Sequence, residues 1–163
     1  MSRETVWQGR YIAAMRDGSW EWAARARNIG AAVILAVDDG HVLLVEQFRV
    51  PLNARTIELP AGLVGDETAG ETIESAAIKE LREETGWIAG NVERLGTFAS
   101  SPGMVSETFE LLRATGLQDS GDAPEDGIVL HRVALADVPA FLSRKRDEGL
   151  VVDVKLLALL TFV

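Results

Sequence analysis

Gly65-Asp-Glu-Thr-Ala-Gly-Glu-Thr-Ile-Glu-Ser-Ala-Ala-Ile-Lys-Glu-Leu-Arg-Glu-Glu-Thr-Gly-Trp87 is the stretch on which the fold of this chain turns. Ile73, Ala76, Ala77 and Leu81 recur at helical intervals and can face a core, which predicts a helix over about Ala69 to Glu84. Thr68 and Glu71 have the spacing of a capping box at its start. Gly86 stands where a left-handed residue ends a helix. Glu80 and Glu84 lie one helical turn apart, with Glu83 beside them. Like charges at that spacing destabilise a helix by a few tenths of a kcal/mol per pair, roughly. They also lie near the C-terminal end, where the helix dipole disfavours anions. Two local rules are broken at one place, and such conflicts mark functional sites. A divalent cation relieves both penalties; a solvated acidic face is the alternative that the carboxylates alone leave open.

Working outward, Ala31 to Val37 and His41 to Gln47 are apolar, β-prone runs around Asp38-Asp39-Gly40, a hairpin signal. Thr56 to Leu59 is a short strand ending at Pro60. Val6 to Ala14 reads as one strand, followed by a turn at Arg16-Asp-Gly-Ser19. Beyond the helix, Val92 to Ala99, Glu107 to Ala114 and Gly127 to Ala134 read as strands. A loop spans Asp119 to Asp126, and helices are expected near Ala136 to Glu148 and from about Asp153. The expected class is α+β with a largely β core, in a single domain over residues 1–163.

Composition narrows the chemistry. Asp and Glu outnumber Lys and Arg by 25 to 16, a net charge of −9, which disfavours binding to nucleic-acid backbones through a basic face. An anionic substrate would need a local cation. There is no cysteine, so disulfides, thiolate metal sites and a cysteine nucleophile are excluded. His41 and His131 are the only histidines. Carboxylate and carbonyl oxygens remain as ligands, and they suit Mg²⁺ or Mn²⁺. The first residues hold no apolar signal segment, and the stretch from Leu150 to Val163 is interrupted by Asp153 and Lys155. It is also shorter than a membrane span. The expectation is a cytoplasmic protein with no membrane partner; both histidines read as strand residues without a chemical role.

The pattern Gly65-x5-Glu71-x7-Lys79-Glu80-Leu81-x-Glu83-Glu84-x-Gly86-Trp87 resembles the Nudix box, Gly-x5-Glu-x7-Arg-Glu-U-x-Glu-Glu-x-Gly-U with U bulky and apolar. It departs at one fixed position, where Lys79 stands for Arg. The resemblance implies the Nudix fold, an α/β/α sandwich in which a mixed β-sheet lies between helices and residues 65–87 form loop, helix and loop. It implies hydrolysis of a nucleoside diphosphate linked to another moiety. Glu80 and Glu84 match the family's metal ligands, with Glu83 able to bind a metal or its water. Lys offers a point charge in place of the forked guanidinium, so a looser active site is expected around Lys79, paired with Glu83 or Glu71.

Further matches resemble the ADP-ribose pyrophosphatase branch of that family. Glu46-Gln-Phe-Arg49 and Ile57-Glu-Leu-Pro-Ala-Gly62 lie upstream; Ser101-Pro102-Gly103 begins 14 residues beyond Trp87 and leads to Glu107. The resemblance implies that Ala61 gives a main-chain carbonyl to the metal, Arg49 contacts the diphosphate and Glu58 supports the site. It makes Glu107 the candidate general base and places Gly103 at the substrate. Trp20 and Trp22 share one strand face, and the branch implies base stacking there with Arg25 assisting, across a homodimer built on residues 1–28. Each has a plainer alternative: a strand-end charge at Arg49, a turn at Pro102-Gly103, an edge-strand start at Glu107, core or dimer packing for the tryptophans. The expected substrate is ADP-ribose, with a nucleotide sugar such as GDP-mannose or another dinucleotide as the alternative. A non-catalytic ligand-binding domain is a third possibility.

Overall fold

In the computed structural model, residues 3–27, 29–64 and 72–163 are described. The chain begins with three antiparallel strands, β1 (Glu4–Gln8), β2 (Ile12–Asp17) and β3 (Trp20–Arg25). The single strand expected over Val6 to Ala14 is therefore two. The chain reverses around Gly9-Arg10-Tyr11, where the Gly9 N–H donates to the Ile12 carbonyl at 2.8 Å. The apolar, β-prone residues on both sides, Val6-Trp7 and Tyr11-Ile12, hid this turn.

Next come β4 (Gly30–Asp38) and β5 (His41–Arg49), joined as expected by a tight hairpin. Asp39 and Gly40 have φ of 46° and 68°, the left-handed pair that a two-residue turn of this kind requires. A 3₁₀ turn at Val50–Leu52 leads to β6 (Ala54–Glu58), and β7 (Ala61–Val64) follows Pro60 at once. Pro60 ends one strand but does not end sheet structure: its carbonyl accepts the Ile34 N–H at 2.8 Å.

The helix α1 (Ile73–Thr85) starts later than the periodicity suggested. Thr72 is its cap, with Oγ1 accepting the Ser75 N–H at 3.1 Å; the box expected at Thr68 and Glu71 lies outside the described residues. Gly86 closes the helix with φ of 73°, as expected. After α1 come β8 (Trp87–Ile88), β9 (Asn91–Ala99), β10 (Thr108–Thr115), β11 (Gln118–Asp119) and β12 (Val129–Ala134). The chain ends with α2 (Val138–Asp147), β13 (Val151–Val152), a 3₁₀ turn at Val154–Ala158 and α3 (Leu159–Phe162). The last expected helix is thus mostly 3₁₀.

The main sheet runs β13-β6-β5-β4-β10-β9, with β12 also on β5 and β7 on β4. It is mixed: β10 lies parallel to β4, while β5 and β7 are antiparallel to it. Both faces are buried, and β4 shows why. Val33 and Leu35 pack with Ile57, Leu111, Val138, Phe141 and Leu156 on the side of α2 and the C-terminal turn. Ala32, Ile34 and Ala36 pack with Ala77 and Leu81 of α1 on the other. A near-continuous apolar run fits a strand covered on both sides. The expected mixed sheet between helices is what forms.

Candidate active site

The burial pattern of α1 separates its three carboxylates. Ala76, Ala77, Leu81, Glu84 and Thr85 face inward. Glu84 is only 7% exposed, whereas the Glu83 side chain is 39% exposed. Glu84 Oε2 accepts the Ala61 N–H at 2.9 Å, which ties the helix to the Pro60-Ala61-Gly62 segment. Glu80 lies against the same segment. A Cβ built on Gly62 would sit 1.8 Å from Glu80 Cδ, so only glycine lets this carboxylate approach the backbone. Burial pushes the Glu84 carboxyl up to about 7, and the nearby charges of Glu80 and Glu58 add to that; the Ala61 N–H and Arg49 oppose it. Lys79 Nζ lies 3.9 Å from Glu83, one of the two partners expected of it; the other, Glu71, lies outside the described residues.

Two ion pairs flank this centre. Arg49, at the end of β5, donates from Nε and Nη2 to the two oxygens of Glu58 on β6, each at 2.7 Å. Thr56 adds a bond to Glu58 Oε1 at 2.5 Å. Burial alone would raise the Glu58 carboxyl, but Arg49 and Thr56 outweigh it and hold it below its ordinary value. Across the cavity, Arg25 Nε donates to Glu107 Oε1 at 2.6 Å. Arg25, Arg49, Glu58, Ala61, Gly62 and Glu107 together line a cavity of about 360 Å³. A second cleft of about 540 Å³ is lined by Trp20, Trp22, Pro102 and Gly103 among others. The loop from Ser100 to Glu107 contributes to both. Trp20 and Trp22 do share a face, and Gly103 has open space where a Cβ would stand.

The donor set fits a hard divalent cation. The buried Glu84 carboxylate, bonded among the described residues only by a main-chain N–H, lies close to a second carboxylate, a setting that favours a cation. Among the described residues no three acidic or imidazole side chains form a ready-made metal cluster, so a main-chain oxygen or water must complete any coordination shell.

Three features were not foreseen from sequence. The loop after β11 docks on the C-terminal end of α1. Ser120 N–H and Oγ donate to the Gly86 carbonyl at 2.9 and 2.7 Å, Glu125 N–H donates to the Glu83 carbonyl at 2.9 Å, and Arg82 Nε bonds Asp122 at 2.9 Å. These satisfy carbonyls that a helix end leaves open. A Cβ on Gly86 would meet the Asp122 carbonyl at 2.2 Å. Second, residues 104–106 pair with Ala23 of β3. Third, His131 is more than a strand residue: Nε2 lies 3.0 Å from Glu46 Oε2, which Lys145 also bonds at 3.0 Å, while Arg55 bonds Oε1 at 2.7 Å. Each joins residues far apart in the chain, which spacing cannot show.

The box helix, the Ala61-Gly62 segment and the flanking sheets together make the architecture of a Nudix domain. The family model described as a NUDIX domain matches residues 26–150, and the chain belongs to that family. It is 31% identical to a methanol dehydrogenase activator of Bacillus methanolicus over 96% of this chain and 90% of that protein. It is 30% identical to an ADP-ribose pyrophosphatase of Bacillus subtilis (strain 168) over 79% of this chain and 74% of that protein. A solved structure described as an ADP compounds hydrolase has the same fold, with a TM-score of 0.64 at 22% identity, covering 91% of this chain and 93% of that one. The chain is a Nudix hydrolase. No described helix is long and apolar enough to cross a membrane.

Proposed function

We propose that this chain hydrolyses ADP-ribose to AMP and ribose 5-phosphate in the presence of Mg²⁺ or Mn²⁺. The observation that carries this reading is the Glu84 carboxylate, buried beside Glu80 on the Ala61-Gly62 backbone and lacking a bonded cation among the described residues. Glu80, Glu84 and the Ala61 carbonyl would hold the ion, with Glu83 assisting and Lys79 restraining Glu83. A bound ion neutralises the diphosphate, polarises its oxygens and activates water. Arg49 spends Nε and Nη2 on Glu58, which leaves Nη1 for a diphosphate oxygen. Glu107 would accept the proton of the attacking water. Trp20 and Trp22, with Gly103 opposite, offer a stacking surface for the adenine, an interaction worth about 1–3 kcal/mol per base. The N-terminal strands expose Val6, Trp7, Tyr11 and Ile12, and a second copy of the chain would cover them in a homodimer.

Product identification tests the reading. ADP-ribose with Mg²⁺ should yield AMP and ribose 5-phosphate, and Glu107→Gln should lower the rate by about 10²–10⁴-fold. GDP-mannose, NADH and diadenosine polyphosphates are run beside it. Specific turnover of one of these overturns the substrate; ADP-ribose binding without hydrolysis at saturating Mg²⁺ overturns the activity.

A further inference from the structure

We propose that Arg25 is a positioning residue for Glu107, so that the N-terminal sheet forms part of the catalytic apparatus. The inference rests on the assignment of Glu107 as the base. It begins with the backbone. The Ala23 N–H donates to the Met104 carbonyl, and the Ser106 N–H donates to the Ala23 carbonyl, both at 3.0 Å. These bonds make a parallel bridge between Ala23 and Val105, an added rung on the edge of β3. Arg25 lies two residues beyond Ala23 and Glu107 two beyond Val105. Residues two apart on extended chain share a side, so the rung brings these two side chains together.

There Arg25 Nε donates to Glu107 Oε1 at 2.6 Å, and Nη2 contacts the same oxygen. Glu107 stands between the Ser106–Ala23 bond and the first residue of β10, and its side chain keeps 34% exposure, so the backbone alone does not fix its rotamer. A long carboxylate at a strand start samples several rotamers. A guanidinium gripping one oxygen selects one of them and leaves Oε2 to take a proton. The Arg25 side chain is 30% exposed and faces the cavity that also holds Arg49 and Ala61.

The experiment compares wild type with Arg25→Ala, Arg25→Lys, Glu107→Gln and the Arg25→Ala/Glu107→Gln pair. In ¹³C-glutamate-labelled protein without substrate, the Glu107 carboxyl resonance, assigned by its loss in Glu107→Gln, should move in Arg25→Ala. At saturating Mg²⁺, Arg25→Ala should lower kcat for ADP-ribose by about 10–100-fold, the scale of a misplaced catalytic group. KM should stay within about twofold. Arg25→Lys should recover part of the loss, which guards against misfolding. Arg25→Ala should cost nothing further in the Glu107→Gln background. An unmoved resonance, a raised KM at unchanged kcat, or losses that multiply in the double variant would each overturn the inference. A wild type that hydrolyses none of the nucleotides overturns the functional reading instead, while the resonance still decides whether Arg25 holds Glu107.

Discussion

Glu46 and Glu84 keep similar residual exposure, 9% and 7%, yet Glu84 lies deeper in the protein and their surroundings are opposite. Burial would raise the Glu46 carboxyl, but hydrogen bonds from Lys145, Arg55 and His131 outweigh it and bring it down to about 2. Burial raises Glu84 to about 7, Glu80 pushes the same way, and only one main-chain N–H and the more distant Arg49 oppose them. One glutamate knits β5, β6, β12 and α2 together with cations supplied by the chain. The other has been left without that compensation in the last turn of α1. A fold that satisfies one buried carboxylate with three cationic or imidazole groups and does not do so for Glu84 supports the proposal that an external cation binds there.

The comparison is broken most directly by activity. If Glu84 is a metal ligand as proposed, Glu84→Gln should lower kcat/KM for ADP-ribose by several kcal/mol of transition-state stabilisation, about 10³-fold. Steady-state rates at fixed Mg²⁺ measure this, and a variant retaining a tenth of wild-type activity would contradict it.

Stability sharpens the contrast, because the same substitution should act with opposite sign at the two places. Without metal, the native Glu84 carboxyl titrates near 7 and its unfolded counterpart near 4.5. Between those values the native state binds more protons than the unfolded state. Stability therefore falls as pH rises through that window, by about 3 kcal/mol in all. Glu84→Gln should remove this slope and stabilise the metal-free protein at pH 8. Glu46 is the mirror case: its native carboxyl is lowered, so its contribution is present above about 4.5 and is lost as pH falls towards about 2. Glu46→Gln should cost about 3 kcal/mol at pH 7, at the lower end for breaking a buried ion pair, and leave metal affinity unchanged. Urea titrations of both variants at pH 5 and pH 8 read the two signs.

Metal should close the gap between the two glutamates. Millimolar Mg²⁺ or Mn²⁺ should raise the wild-type Tm, more at pH 8 than at pH 6, since the ion competes with the Glu84 proton. Calorimetric scans of Glu84→Gln should show little of that rise. The smallest effect is expected at Lys79. Its 3.9 Å approach to Glu83 is exposed, so Lys79→Arg should improve metal affinity or turnover by less than about tenfold. No change in either would show that the fork of the guanidinium is unnecessary at this position.

Much of the fold was legible in residues 31–47 and 73–86. The Asp39-Gly40 turn, the helical stripe and the terminal Gly86 depend on neighbours a few positions away. The turn at Gly9-Arg10 was missed because β-prone residues, Val6-Trp7 and Tyr11-Ile12, stand on both sides of it. The cap at Thr72 was not singled out because Thr68, four residues earlier, offers the same chemistry.

The carboxylate spacing, the Pro60-Ala61-Gly62 segment and Ser101-Pro102-Gly103 followed by Glu107 were readable from the chain alone, since residue types at fixed local intervals carry both helical geometry and the family pattern. Folding in three dimensions settled which carboxylate would be buried, turning Glu84 inward and leaving Glu83 at the surface. It also joined Arg25 to Glu107, 82 positions away, and Lys145 to Glu46, 99 away. Burial and long-range pairing depend on how sheets and helices stack, and no interval along the chain encodes which distant cation will reach a given carboxylate.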